Sequence, residues 1–267
     1  MTAPRAPIER THVSDSTTLT IRTTMPASSE ALGALTTTIA DAGGTLVSST
    51  VVAQRRGQEI RDTRVLTDSG DAVLAAVAAA DGVTVDRHWP SVLEGRAGGA
   101  LGMRTSVPLT QREDLSMAYT PGVARVCMAI HDDFDQAWTY TIKANSIMVV
   151  SDGSDVPGAG AVGAEPSLPL CESVALLLRE QAGIDAFPLP IDSESTDDLV
   201  NAVVKCSSVF AGIHLTGMSA ERGDAVEAAL KEHLDIPVKR GGEADPAFAG
   251  LWRASIQTAR TTAEPDR

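Results

Sequence analysis

The chain has 267 residues, 43% hydrophobic and 21% charged, with 35 acidic against 22 basic side chains and a net charge of −13. It is long enough for two ordinary domains with real cores. Its negative field argues against nucleic acid or an anionic membrane as partner, and an aromatic content of 3% argues against base-stacking platforms. Cys127, Cys171 and Cys206 cannot all pair and none sits in a CxxC spacing, which points to a reduced, cytoplasmic setting. No apolar run approaches the roughly 18 residues of a membrane span. The opening MTAPRAPIERTHVSDS lacks an apolar signal core, so residues 1–16 are expected to be a disordered arm.

The first module is expected over 17–90. Leu19 and Ile21 alternate with polar residues as in a half-buried strand. MPASSE offers a helix entry, Leu32, Leu35 and Ile39 share one helical face, and Gly43-Gly44 ends that helix. TLVSSTVVAQ and QEIRDTRVLT read as two strands around Arg56-Gly57. Val73, Leu74 and Val77 mark a second helix, and GVTVDRHW reads as a closing strand. The order βαββαβ predicts a ferredoxin-like α/β sandwich. Residues 91–107, with four Gly in EGRAGGALGMR, read as a linker.

Helices alternate with apolar strands over 108–260. SIMVVS is a short buried strand, CESVALLLREQAG a helix, AFPLPID a strand kept to an edge by its two Pro, and Asp197 to Val204 a helix. VFAGIHL, ERGDAVEAALKEHL and DIPV follow as strand, helix and strand. This alternation predicts an α/β domain with a mainly parallel sheet, followed by a frayed tail at 261–267.

Read residue by residue, the chemistry stays open. Gly158, Gly160 and Gly163 fit G-x-G-x-x-G, but AEPSLP does not open a helix at once and Glu165 would oppose a pyrophosphate. A structural or carboxylate-cradling loop, with Asp152 at its start, is the simpler reading. The five His are dispersed, so no metal site is expected; His214 ends a buried strand, where sites of open α/β sheets tend to lie. The acidic runs around Asp132 and Asp192 read as helix starts and solvated surface. Tyr119, beside the turn Pro121-Gly122, is an available general acid or a packing residue.

The segment DLSMAYTPGVARVC, Asp114 to Cys127, closely resembles the AYTPGVA stretch of bacterial malic enzymes. YTIKANSIMVVSDGS, GAGAVG, GIDAFPLPID, FAGIHL and LDIPV continue the resemblance in family order, and the module in front resembles an ACT domain. An ACT domain tends to carry a Pro-Gly ligand loop where Ser29-Glu30 stand here. The resemblance implies a substrate domain from a family that oxidises malate with NAD(P) and decarboxylates it around a divalent metal. Tyr119 matches the family's general acid. The family's base Lys is matched by Val174, the Asp of its GLGDIG loop by Ala161, its Glu-Asp metal pair by Thr216-Gly217 and the Asn before that pair by His214. After LDIPV, KRGGEADP stands where HDDQHGT is expected, and the chain is expected to stop before the NAD-binding domain.

Losing a general base alone costs about 10²–10⁴ in rate. A divalent ion without carboxylate ligands loses its charge compensation, and hydride transfer needs a cofactor. The expectation is therefore a degenerate family member, without metal or cofactor, that binds a small organic acid or regulates a partner. It would act as a homodimer or beside an intact malic enzyme. The alternative is a repurposed, non-redox lyase, decarboxylase or isomerase of a 2-oxo or dicarboxylic acid. There Tyr119 would act as acid, with Lys143, Glu172 or His214 as base or anion contact, and Gly158, Gly160, Gly163 and Asp152 against the substrate.

Overall fold

The computed structural model describes residues 17–107 and 109–263, so the expected arm at 1–16 lies outside it. The described chain divides into two compact units, the second beginning at Gly99.

The first unit runs β1 (Thr17–Pro26), α1 (Ser29–Asp41), β2 (Thr45–Arg55), β3 (Gln58–Thr67), α2 (Gly70–Ala78), β4 (Thr84–Pro90) and a short α3 (Ser91–Gly95). The strands form an antiparallel sheet in the order β2-β3-β1-β4. Alternation along β1 turns Leu19, Ile21 and Met25 to one face, where Leu35 and Ile39 of α1 and Val73 and Val77 of α2 cover them. Ser28 caps α1 by accepting the Ala31 N–H, satisfying one of the helix's orphan donors. Arg56 and Gly57 both take positive φ, the condition for a two-residue hairpin between twisted strands. On the other face Arg22 grips Asp62 through two 2.6 Å hydrogen bonds and lies over Trp89.

The segment expected as a linker thus opens with α3, and the boundary between units falls only at Gly98 and Gly99.

The second unit comprises α4 (Arg112–Ala118), α5 (Gly122–Asp132), α6 (Ala137–Tyr140), a 3₁₀ turn Ile142–Asn145, β5 (Ser146–Ser151), α7 (Ala164–Ala182) and β6 (Asp185–Pro190). It continues through α8 (Thr196–Cys206), β7 (Gly212–Leu215), α9 (Ala220–His233), β8 (Val238–Arg240) and α10 (Phe248–Ala263). The sheet is parallel throughout, in the order β6-β5-β7-β8, with the Pro-bearing β6 at an edge.

Every residue of β5 is buried because both faces are covered. Ile147 and Val149 pack under α7 and α10, with Val174, Leu178 and Trp252. Met148 and Val150 pack under α8 and α9, with Leu199, Val203 and Val226.

Four expectations are corrected. AEPSLP does open a helix: α7 starts at Ala164, and Pro166 is tolerated because the first N–H groups of a helix have no partner to lose. The strand expected over VFAGIHL keeps only four residues, and the last strand begins at Val238, where DIPV ends. Thr261, expected in the tail, continues α10, whereas 264–267 lie outside the described residues. Among the described residues no helix is long and apolar enough to cross a membrane.

Candidate functional site

Strand order reverses between β5 and β7: α7 carries the chain from β5 to β6 on one side, and α9 carries it from β7 to β8 on the other. In open parallel sheets the crevice beyond the strand C-termini at such a point is where ligands bind. Ser151, Asp152, His214, Thr216 and Gly217 stand there.

The two loops at this edge are tied to each other. Ser151 Oγ accepts the Gly153 N–H and donates to the Gly217 carbonyl at 3.4 Å, and the Asp155 N–H reaches the same carbonyl at 3.2 Å. Ser219 N–H donates to Ser154 Oγ at 3.0 Å.

The Gly-rich loop also closes on itself. Gly160 N–H donates to Val156 O at 2.8 Å, and both Val162 and Gly163 N–H groups donate to Gly153 O. A Cβ at Gly153 would lie 1.9 Å from Gly163 O, so only glycine permits this closure. The amides of Gly160 and Gly163, expected to cradle a phosphate or carboxylate, are therefore engaged inside the loop, and Gly158 takes positive φ at its tip.

Asp152 is equally committed. Its carboxylate accepts the Ser154 N–H and hydroxyl and pairs with Arg222 of α9. Arg222 also donates to Ser193 Oγ at 2.8 Å and to the Ser195 carbonyl, so one guanidinium ties together the loops after β5 and β6 and the helix after β7. A buried aspartate so placed holds loops; it repels rather than binds an acid.

His214 is fully buried. Its Nε2 lies 2.8 Å from Glu243 Oε1, and its ring meets Phe248 and Trp252 edge-on. Burial by itself would raise the Glu243 pKa, but the hydrogen bond and charge of His214, with a further bond from Thr216, bring it down to about 2. His214 Nδ1 is buried without a hydrogen-bond partner.

The other candidates are dispersed. Tyr119, at the C-terminus of α4, is 66% exposed, while its backbone closes the turn into α5. A Cβ at Gly122 would lie 2.2 Å from Met117 O, which explains the glycine in that turn. Lys143 sits at the opposite end of the sheet, before β5. It donates to Ser208 O at 3.0 Å and lies over the Trp138 ring, and burial lowers its pKa. Glu172, on α7, accepts the Ala100 N–H at 3.2 Å. Of the four catalytic candidates, only His214 stands at the switch point.

Divalent-metal chemistry does not fit this donor set. Among the described residues no three His, Cys, Asp or Glu side chains converge. Gly217 has φ +62°, and a Cβ there would lie 2.6 Å from Ser151 Oγ and 3.0 Å from Leu170 Cδ2, so the backbone leaves no room for a carboxylate side chain. Val174 is buried between α7 and the sheet. Glu243 and Arg222, which organise this edge, carry no local sequence signal. Their partners lie 29 and 70 positions away, and only KRGGEADP drew attention to Glu243.

Residues 101–203 match the family model for the malic enzyme N-terminal domain. The chain is 37% identical over 222 residues to the NAD-dependent malic enzyme of Geobacillus stearothermophilus, an alignment that covers 81% of this chain and 46% of that one. It is 37% identical over 159 residues to the bifunctional malic/malolactic enzyme of Bacillus subtilis, covering 58% and 39%. A crystal structure of the NAD-dependent malic enzyme of Thermotoga maritima superposes with a TM-score of 0.54 at 33% identity, covering 56% of this chain and 42% of that one. The malic enzyme of Pyrococcus horikoshii gives 0.52 at 37% identity, covering 53% and 33%. The chain therefore spans about half, or less, of the length of these relatives.

Proposed function

We propose, from the premise that this chain belongs to the malic enzyme family through the N-terminal domain at 101–203, that it is a catalytically silent member with a binding or regulatory role. The observation that carries this reading is the state of the positions matched to the family's base and metal pair. Val174 is core, and Gly217 has a backbone with no space for a side chain. A charged Lys at 174 would sit desolvated among Ile147, Val149 and Leu178. The dispersion of Tyr119, Lys143 and Glu172 also supports the reading against a repurposed lyase, because acid–base catalysis needs both groups within hydrogen-bond reach of one substrate.

The βαββαβ unit acts in this reading as an ACT-like module, and the partner is a second copy of the chain or an intact relative. The protein binds a small organic acid without transforming it.

The test is an assay of the chain with malate, Mn²⁺ and NAD⁺ or NADP⁺, and with 2-oxo and dicarboxylic acids in EDTA without nucleotide. No turnover is expected in either arm. Turnover that disappears in Tyr119→Phe overturns the proposal, and sedimentation analysis of the chain alone and mixed with a malic enzyme tests the pairing.

A further inference from the structure

Two arginines of the second unit, Arg253 and Arg260, share one face of α10. Arg179, Arg222 and Arg240 each hold a carboxylate. Arg253 and Arg260 hold none among the described residues. In a chain of net charge −13, two cations on one helix face with no carboxylate partner among the described residues make a local positive patch.

They line a groove of about 350 Å³ with Asn145, Ile256, Gln257 and Thr261, where the second half of α10 passes the 3₁₀ turn Ile142–Asn145. The groove lies at the N-terminal end of β5, opposite the switch point. Its floor is apolar, since Ile256 belongs to the core beneath α7 and α10. The neighbouring acid is neutralised: Asp185 pairs with Arg179 and accepts from Asn145 Nδ2, whose other bond goes to Gly183 O. No free carboxylate of that strand opposes an anion there.

We infer that this groove is a binding site for a small dicarboxylate. Positions 253 and 260 are seven apart, which places them on one helical face and separates them by about 10 Å along the axis, with Gln257 between. Guanidinium groups favour carboxylates because their parallel N–H donors match the two oxygens. Two forks along one helical face suit a ligand charged at both ends better than a single small anion. A volume of about 350 Å³ lies at the small end of ligand sites, which selects a short-chain acid over a nucleotide. The inference deepens the ligand-binding part of the proposed function and rests on it, but not on catalytic silence, because the two ends of the sheet are separate.

The test is calorimetric titration of the full chain with succinate at fixed ionic strength, alongside acetate and inorganic phosphate. Saturable succinate binding is expected, weakened about tenfold or more in Arg253→Gln/Arg260→Gln, with each single variant between. Both side chains are exposed, so the variants should fold, and circular dichroism checks that they do. Gln257→Glu keeps both cations, places a negative charge between them and should weaken binding similarly. No succinate binding to the wild type, undiminished binding in the double variant, or phosphate or acetate binding as tightly as succinate each overturn the inference. Malate turnover, which would overturn the proposed function, leaves this result unaffected.

Discussion

Replacing Glu243 with Gln should remove a charge-dependent contribution that holds the loop before α10 onto β7. The Glu243 carboxyl titrates at about 2, against 4.5 for the unperturbed group. Each unit is worth about 1.4 kcal/mol, which sets an upper bound of about 3–4 kcal/mol. The side chain is 26% exposed, and solvent screening reduces the contribution to about 1–2 kcal/mol. Because the folded value lies below the unfolded one, this stability is fully present above pH 4.5 and is lost as the pH falls toward 2. Urea unfolding, read by hydrogen-exchange mass spectrometry over peptides covering β7, separates this unit from the other. Glu243→Gln should unfold more easily at pH 7 by that amount, and the gap should shrink to about a quarter of that at pH 2.5, closing only below the folded value. Equal stability at pH 7, or an unchanged gap at pH 2.5, would refute the account of the His214–Glu243 pair.

Gly217→Asp, which places a carboxylate where the resemblance puts the family's metal ligand, should destabilise the protein by about 2–4 kcal/mol through its positive φ and the contact with Ser151. It should gain no Mn²⁺ affinity by calorimetry, and a wild-type melting temperature would contradict the packing described. Arg222→Ala leaves Asp152 buried without its cation and frees the loops after β5 and β6 from α9, at a cost of about 2–4 kcal/mol in thermal unfolding. Unchanged melting would mean that the pair is not structural. Burial pushes the Cys171 thiol up to about 12, whereas Cys127 and Cys206 are exposed. A thiol reagent should therefore modify two cysteines quickly and the third only on unfolding, and three fast reactions would contradict the burial of Cys171.

Much of the fold was legible because it is written locally. The unbroken apolar run of SIMVVS predicts a strand covered on both faces, and β5 is that strand. The helical phase of Val174 with Leu178 marks it as core, and Arg56-Gly57 marks a hairpin. The helix start at Ala164 is not legible because Pro argues against helix in general, though Pro166 lies in the first turn, where it is tolerated, and Pro169 sits inside the helix. The site was less legible. Each of its residues carries an available chemistry by itself, but their partners lie far along the chain.

The sequence by itself determined the alternation of elements and the malic-enzyme resemblance, and with that resemblance the expectation that Val174, Thr216 and Gly217 stand where the family carries its base and metal ligands. Only the tertiary structure decided what those replacements mean. It joined Asp152 to Arg222 and His214 to Glu243, turned the glycine loop's amides inward and put Lys143 at the far end of the sheet. The physical reason is range. Periodicity and turn chemistry act over a few residues, whereas a carboxylate's partner, or the space beside a glycine, is set by segments that meet only when the sheet closes.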